Sequence, residues 1–210
     1  MTQNINESYE DHVQEAGVNC YSCHRGEPVP SGVWFNVSPA NENVSGWSAN
    51  QNRATSVSES TSLPSDALEK YLADYNTIRV HDLESRVDNE GTASIQDTER
   101  TYSLMNYFSN SLDVNCTYCH NTRAFYELEE STPQLEQAQL GIGMVQEINT
   151  DYLSELEGLL PEERLGLIHG DVPKVGCMTC HKGYSKPLNG TDMTSDWPEL
   201  TSTQGPPVYE

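Results

Sequence analysis

The sequence predicts a mainly α-helical chain with long irregular loops, built from helix–turn–Cys-x-x-Cys-His units in two pseudo-symmetric halves. Three observations predict it. The six cysteines fall in three Cys-x-x-Cys-His units, at 20–24, 116–120 and 177–181, with none left over. Apolar residues recur at helical spacing in stretches that precede the units. The segment Met1-Thr-Gln-Asn-Ile-Asn-Glu-Ser-Tyr9 is echoed by Met144-Val-Gln-Glu-Ile-Asn-Thr-Asp-Tyr152, each ahead of a unit and each unit followed by a basic residue and later prolines.

The elements follow in order. Residues 2–16 read as a helix, because Ile5, Tyr9, His12 and Ala16 share one face of a 3.6-residue period and Gly17 is a stop. The Ser- and Asn-rich run from Asn36 to Ser62 reads as loop. A short helix covers Asp66 to Tyr75, with Leu68, Tyr71, Leu72 and Tyr75 on its apolar side. Residues 76–96 are irregular, with Thr77-Ile-Arg-Val80 as the one strand candidate. A helix from about Asp97 to Asn110 sets Tyr102, Met105 and Phe108/Ser109 near one face. Thr132 as N-cap and Pro133 at the first helical position open a helix running to about Glu157. Gly141 and Gly143 inside it each weaken it by roughly 1 kcal/mol, and two readings explain them: close approach of backbone to a cofactor face, or close helix–helix packing. Pro161 opens a further short helix. The whole reads as one domain, 1–210, with one half over about 1–75 and the other over about 97–200.

Cysteine arithmetic sets the chemistry. A disulfide framework has no need of a histidine after every pair, and a zinc ribbon needs two Cys-x-x-Cys units rather than three each with its own His. Two thiols three positions apart on a helical turn add to the two vinyl groups of one haem, and the adjacent histidine ligates iron from below. Cys20, Cys23, Cys116, Cys119, Cys177 and Cys180 are thus covalent haem attachments, and His24, His120 and His181 the proximal ligands. The chain is predicted to be a multihaem c-type cytochrome with three haems. Composition agrees: only 35% of residues are hydrophobic, a thin core for 210 residues unless large apolar cofactors fill it.

With 32 acidic against 11 basic residues the formal charge is −21, which excludes nucleic acid and anionic membrane surfaces as partners. An acidic face that steers a basic soluble partner explains the charge, and so does adaptation to high salt, which fits a content of four lysines. Haem attachment of this kind takes place outside the cytoplasm on reduced thiols. Residues 1–16 carry Glu7, Glu10, Asp11 and Glu15 with no apolar run, so an export signal and any membrane anchor are expected elsewhere. No stretch has transmembrane length.

Each iron needs a sixth ligand unless it binds a gas. Met105 stands on the helix before Cys116, either as a core methionine or as the ligand over that iron. His12 lies on the apolar stripe of the first helix and is either a satisfied core histidine or a ligand. It is one of three histidines outside the units, with His81 and His169. Met1, Met144, Met178 and Met193 are the other methionines, and Met178 sits inside a unit, directed away from its own iron. Arg25, Arg123, Lys182 and Lys186 flank the units, as partners of haem propionates or as solvated charges.

The stretches His12-Val-Gln-Glu-Ala-Gly-Val-Asn-Cys-Tyr-Ser-Cys-His-Arg-Gly26, Thr101-Tyr-Ser-Leu-Met-Asn106, Asp113-Val-Asn-Cys-Thr-Tyr-Cys-His-Asn121, Ser131-Thr-Pro-Gln134, Gly141-Ile-Gly-Met-Val-Gln-Glu-Ile-Asn-Thr-Asp-Tyr-Leu153 and Cys177-x-x-Cys-His-Lys-Gly183 with Lys186-Pro-Leu188 carry a resemblance beyond the units. From Met1 to about Leu200 the sequence resembles the C-terminal three-haem portion of the cytochrome subunit of purple-bacterial photosynthetic reaction centres. The resemblance implies a family of four haems in two pseudo-symmetric pairs, three with His/Met and one with His/His ligation. It implies that Met105 ligates the haem of His120 and that His12 crosses to the haem of His181. The family's methionine for the haem of His24 falls just upstream of Met1, so that ligand is unassigned. The family has Arg where Leu135 stands, and a more basic helix than 136–147, so a reaction-centre contact there is re-made or lacking.

The function implied is that of an electron carrier rather than an enzyme. It passes electrons from a soluble donor, a small cytochrome c or a high-potential iron–sulfur protein, through three haems to the photo-oxidised bacteriochlorophyll pair. It would sit on the periplasmic face of the membrane against the reaction-centre membrane subunits. The alternative is a free or self-associating multihaem cytochrome of a respiratory or extracellular chain. A reductase with an open iron comes last, since no Lys, Tyr or His constellation accompanies the unassigned ligand.

Overall fold

The computed structural model describes residues 1–37, 51, 62–78, 95–125 and 127–204. Within them the chain is mainly helical: α1 (Thr2–Ser8), α2 (Glu10–Val13), α3 (Cys20–His24), α4 (Ala67–Leu72), α5 (Ile95–Leu112), α6 (Pro133–Glu147) and α7 (Cys177–His181). The only extended pairing among the described residues is the antiparallel bridge of Trp34 with Lys174. The strand candidate at 77–80 and His81 run into or fall among residues outside those described, as does most of the loop at 36–62.

The helix expected over 2–16 is broken. Tyr9 leaves helical geometry (φ −122°, ψ 32°), and a 3₁₀ turn covers Gln14–Ala16 before Gly17 turns left-handed (φ 57°). Tyr9 is drawn aside by its hydroxyl, which donates to Glu147 at 2.6 Å, and a raised phenol pKa from burial keeps it a donor. The helix of residue 66 onward is shorter than expected, 67–72, and buries Ala67, Leu68, Tyr71 and Leu72. Tyr75 lies beyond it, exposed, bonded to Asp151 at 2.8 Å. α5 exceeds its expected length, and Arg100 ties it to α4 through both oxygens of Asp66 at 3.1 Å. α6 starts at Pro133 as expected, but the Thr132 hydroxyl donates to the Tyr118 carbonyl (2.6 Å) instead of capping the helix. Beyond Glu147 it continues as a π-helical stretch, Ile148–Leu153, and a 3₁₀ turn, Ser154–Leu156. Pro161 caps a 3₁₀ turn, Glu162–Arg164.

α6 is the spine between two small apolar clusters. Val145 packs in a cluster with Trp34, Leu68, Leu72, Leu104 and Tyr107, while Met144 and Ile148 meet Ile5. Two buried asparagines at equivalent places in the repeat do the rest. Asn6 Nδ2 donates to the carbonyls of Val18 (2.9 Å) and Leu200 (2.7 Å), and its Oδ1 accepts from Val18 N (2.8 Å). Asn149 Nδ2 donates to Val175 (3.0 Å) and Leu72 (2.7 Å), and its Oδ1 accepts from Val175 N (2.8 Å). Val18 and Val175 each stand two residues before a Cys-x-x-Cys-His unit. Each clamp therefore fixes the entry to a unit and satisfies buried backbone groups that would otherwise be orphaned.

The second carbonyl in each clamp comes from the other half. Leu72, which follows the first unit, closes the clamp before the third, and Leu200, which follows the third, closes the clamp before the first. The same exchange recurs in Trp34 N and Lys174 O (2.9 Å), in Thr179 Oγ1 and Gly32 O (2.8 Å), and in Met193 N and Ala16 O (2.7 Å). The halves thus swap the segments that follow their units.

Asn149 is 3% exposed, so removing its amide strands three polar partners at once. Asn149→Ala is expected to lower the unfolding free energy by about 2–4 kcal/mol in denaturant melts. A loss below about 0.5 kcal/mol, typical of an ordinary surface change, would refute the clamp.

Candidate functional site

Positions i, i+3 and i+4 share one helix face, so a single turn aims both thiols and the histidine of a unit the same way. α3 and α7 are such turns. Asn19 Oδ1 accepts from Tyr21 N (2.9 Å) and Ser22 N (3.3 Å), and Ser22 Oγ accepts from Asn19 N (3.0 Å). In α7 the Thr179 hydroxyl accepts from Gly176 N (3.0 Å). Arg25 and Lys182 end the two turns in the left-handed region, at φ 53° and 54°. The middle unit is a tighter 3₁₀ turn, Cys116–Tyr118, capped by Asn115 Oδ1 on Thr117 N (3.0 Å).

The histidines are oriented by backbone carbonyls. His24 Nδ1 meets Glu27 O at 2.9 Å and His181 Nδ1 meets Tyr184 O at 2.9 Å, three residues on in both cases. A carbonyl accepts only, so Nδ1 carries the proton and Nε2 keeps its lone pair for a metal. His120 differs: its Nδ1 is buried without a hydrogen-bond partner, and its ring tilts against Phe125, centroids 5.2 Å apart.

A cleft of about 2160 Å³ runs between α2, α5, α6 and α7. It is more than twice the upper end of ordinary ligand pockets, about 1,000 Å³. Cys116, Cys119 and His120 line it, and so do Cys177, Cys180 and His181. Met105 faces it from α5 along with Thr98, Thr101, Tyr102 and Ser109, one stripe of that helix, while Ser103, Leu104, Tyr107 and Ser111 are buried behind. The face expected for Met105 is thus a cleft wall, and Met105 shares the space with His120. Leu135 is part of the same wall.

His12 enters the cleft from α2 and faces His181. Their ring centroids are 6.3 Å apart with planes at 62°. Two imidazole–metal bonds of about 2 Å each, plus the two half-rings, span about 6 Å, so the gap has the width of one metal ion bound through both rings. His12 Nδ1 donates to Gln137 O at 2.8 Å, leaving Nε2 free. Burial holds both imidazoles below the usual histidine pKa, only partly offset by these carbonyl bonds, so both are neutral and basic at Nε2. Gly141 makes the slot: a Cβ there would lie 2.5 Å from His12 Cε1. Of the two readings of Gly141, close helix–helix packing describes what is seen: the glycine lets α2 lay the ring of His12 against α6. Gly143 has only Tyr9 Cε1 near, at 3.9 Å. The Gln137 carbonyl, one turn before Gly141, left no mark in the sequence because any residue supplies it.

The remaining candidates lie as follows. Cys23 Sγ of α3 and Cys180 Sγ of α7 are 2.7 Å apart as free thiols, so the first and third units abut. Arg25 donates to Cys180 O (3.1 Å) across that junction and its guanidinium lies over Tyr21. Lys182 donates to the Ser31 carbonyl and hydroxyl, at 3.0 and 2.7 Å. Lys186 reaches the cleft, while Arg123 is exposed away from its lining. Met1 is half-exposed at the start of α1, and His169 is exposed.

The site fits covalently held haem: paired thiols and imidazoles on single turns, an apolar cleft large enough for macrocycles, and a facing pair of neutral histidines. No helix among the described residues is long and apolar enough to cross a membrane. The family described as photosynthetic reaction centre cytochrome C subunit matches residues 1–201. The photosynthetic reaction center cytochrome c subunit of Roseobacter denitrificans is 58% identical over 217 residues, covering 100% of this chain and 58% of that protein. Its counterparts in Rubrivivax gelatinosus and Thermochromatium tepidum are 41% and 40% identical, covering 95% and 97% of this chain. The chain spans between 50% and 58% of the length of these relatives. It belongs to the photosynthetic reaction centre cytochrome c subunit family and, as a c-type cytochrome, binds haem covalently.

Proposed function

We propose that the chain is the electron-transfer part of a reaction-centre cytochrome, carrying three haems and feeding electrons to the photo-oxidised bacteriochlorophyll pair. The facing of His12 and His181 across 6.3 Å carries this reading. Two neutral imidazoles, each with its Nδ1 proton engaged and a glycine cut away to admit one of them, have no other evident use. Bound haem supplies a reversible one-electron couple at iron.

The chain's residues anchor, ligate and insulate. Cys20 and Cys23, Cys116 and Cys119, Cys177 and Cys180 tether one macrocycle each, so ring positions are fixed by the turns that hold the thiols. His24, His120 and His181 are the proximal ligands, His12 is the distal ligand of the His181 centre, and Met105 that of the His120 centre. Thioether ligation raises a haem potential relative to bis-imidazole ligation, so the His181 centre is the low-potential step. The abutment of Cys23 and Cys180 supports a His24 centre close to it, and the cleft lined by both His120 and His181 supports a His120 centre close to it as well. The charge of −21 steers a basic soluble donor, a small cytochrome c or a high-potential iron–sulfur protein with a basic face, and repels anionic lipid. The subunit works on the periplasmic face, held there by its reaction-centre partners. Leu135 lines the cleft where the family has Arg, so a reaction-centre contact at that position is re-made or lacking.

Flash excitation of native membranes is expected to oxidise this cytochrome within microseconds, and a membrane in which light leaves it reduced would overturn the photosynthetic assignment. His12→Ala is expected to turn one low-spin haem high-spin in electron paramagnetic resonance and to raise its midpoint potential; three unaltered low-spin signals would remove the cross-half ligation. Met105→Ala is expected to abolish the methionine–ferric charge-transfer band of one haem, and a full-strength band would rule out that ligand.

A further inference from the structure

The three units begin alike in backbone but not in sequence. Asn19, Asn115 and Gly176, each just before the first cysteine, are all extended, at φ −133°, −100° and −148°. In the first two units the asparagine side chain accepts from the backbone N–H two residues on, Tyr21 N at 2.9 Å and Thr117 N at 3.0 Å. Glycine has no side chain to do so. In the third unit the equivalent N–H, that of Met178, donates to the phenol oxygen of Tyr107 at 3.2 Å. Tyr107 comes from α5, is 6% exposed, and reaches the spot only because residue 176 is glycine: a Cβ there would lie 2.2 Å from the phenol oxygen.

α5 holds the other end of the turn as well. Gly183, just past the left-handed Lys182, donates its N–H to the carbonyl of Ser111 at 2.9 Å, one turn beyond Tyr107. The Ser111 hydroxyl in turn donates to the Tyr107 carbonyl at 2.7 Å. The turn that carries His181 is thus gripped fore and aft by the helix whose opposite face presents Met105, two residues from Tyr107.

We propose that Tyr107 is a positioning residue: it caps the His181 turn in trans, replacing the asparagine of the other units, and sets the orientation of the His181 imidazole against the Met105 helix. The spectral part of this rests on His181 being an iron ligand, as proposed above. The cap itself does not.

The test is a compensation cycle in the haem-loaded protein. Tyr107→Phe keeps the ring and loses the acceptor, and is expected to speed amide exchange at Met178 about five- to tenfold, the size of a lost helix cap. It is also expected to shift the low-spin g-values of the bis-imidazole haem while leaving the methionine charge-transfer band in place. Gly176→Asn alone is expected to destabilise the protein, because the new side chain collides with the phenol. Tyr107→Phe with Gly176→Asn rebuilds the cap used by the other units and is expected to restore both exchange and g-values. Unchanged exchange at Met178 in Tyr107→Phe overturns the cap. Faster exchange with unmoved g-values overturns the positioning role, and a double variant worse than either single overturns both.

Discussion

Two imidazoles 169 positions apart in the chain, those of His12 and His181, are brought to face each other across 6.3 Å, and much of the architecture bears on that meeting. His12 rides on a short helix that has no rigidity of its own. It is held by the Gln137 carbonyl on one side and by the absence of a side chain at Gly141 on the other. Both of those features lie one turn apart on α6. His181 rides on a five-residue turn that is fixed by Thr179, Tyr107 and Ser111. Neither histidine is held by its own short turn alone: α6, from the other half, holds His12, and α5 grips both ends of the His181 turn.

That division of labour explains why so modest a side-chain core suffices. The two apolar clusters are small and meet along α6 and at Val175. Order between them is supplied by hydrogen bonds from buried amides and hydroxyls: Asn6, Asn149, Gln146, Ser103 and Thr179, all within 8% exposure. Gln146 alone reaches two carbonyls, those of Tyr71 and Asn76, at 2.8 Å each. Satisfied polar contacts of this kind specify a geometry more sharply than apolar packing, at the cost of tolerating little change. The large cleft they frame has the size and the largely apolar lining that a macrocycle needs.

How much of this was legible in the sequence depended on whether the cause was local. The attachment turns were legible because their chemistry needs fixed spacing in one short segment. The start of α6 was legible from Thr132-Pro133, although Thr132 spends its hydroxyl on Tyr118 rather than on the helix. The repeat was legible, and its asparagines prove to be its working parts, yet nothing in either copy says that the closing carbonyl comes from the opposite half. The break at Tyr9 was hidden because it is caused by Glu147, far away in sequence. Gly141 was noticed as odd, but glycine reports only that space is needed, not what occupies it. Tyr107 carries no mark of its own in the sequence; its trace lies elsewhere, in the one unit where glycine stands in place of asparagine.

The swapped segments carry a consequence for how such a molecule comes into being. A polypeptide emerging amino end first presents its first thiol pair long before Met193 and Leu200 exist to enclose it. Of the three units the one at 20–24 is therefore the last to be sealed, because its partners Met193 and Leu200 come from far down the chain. Contacts of such long sequence separation make folding slow. Here that slowness leaves Cys20 and Cys23 open to haem attachment until the segment around Met193 and Leu200 closes over them.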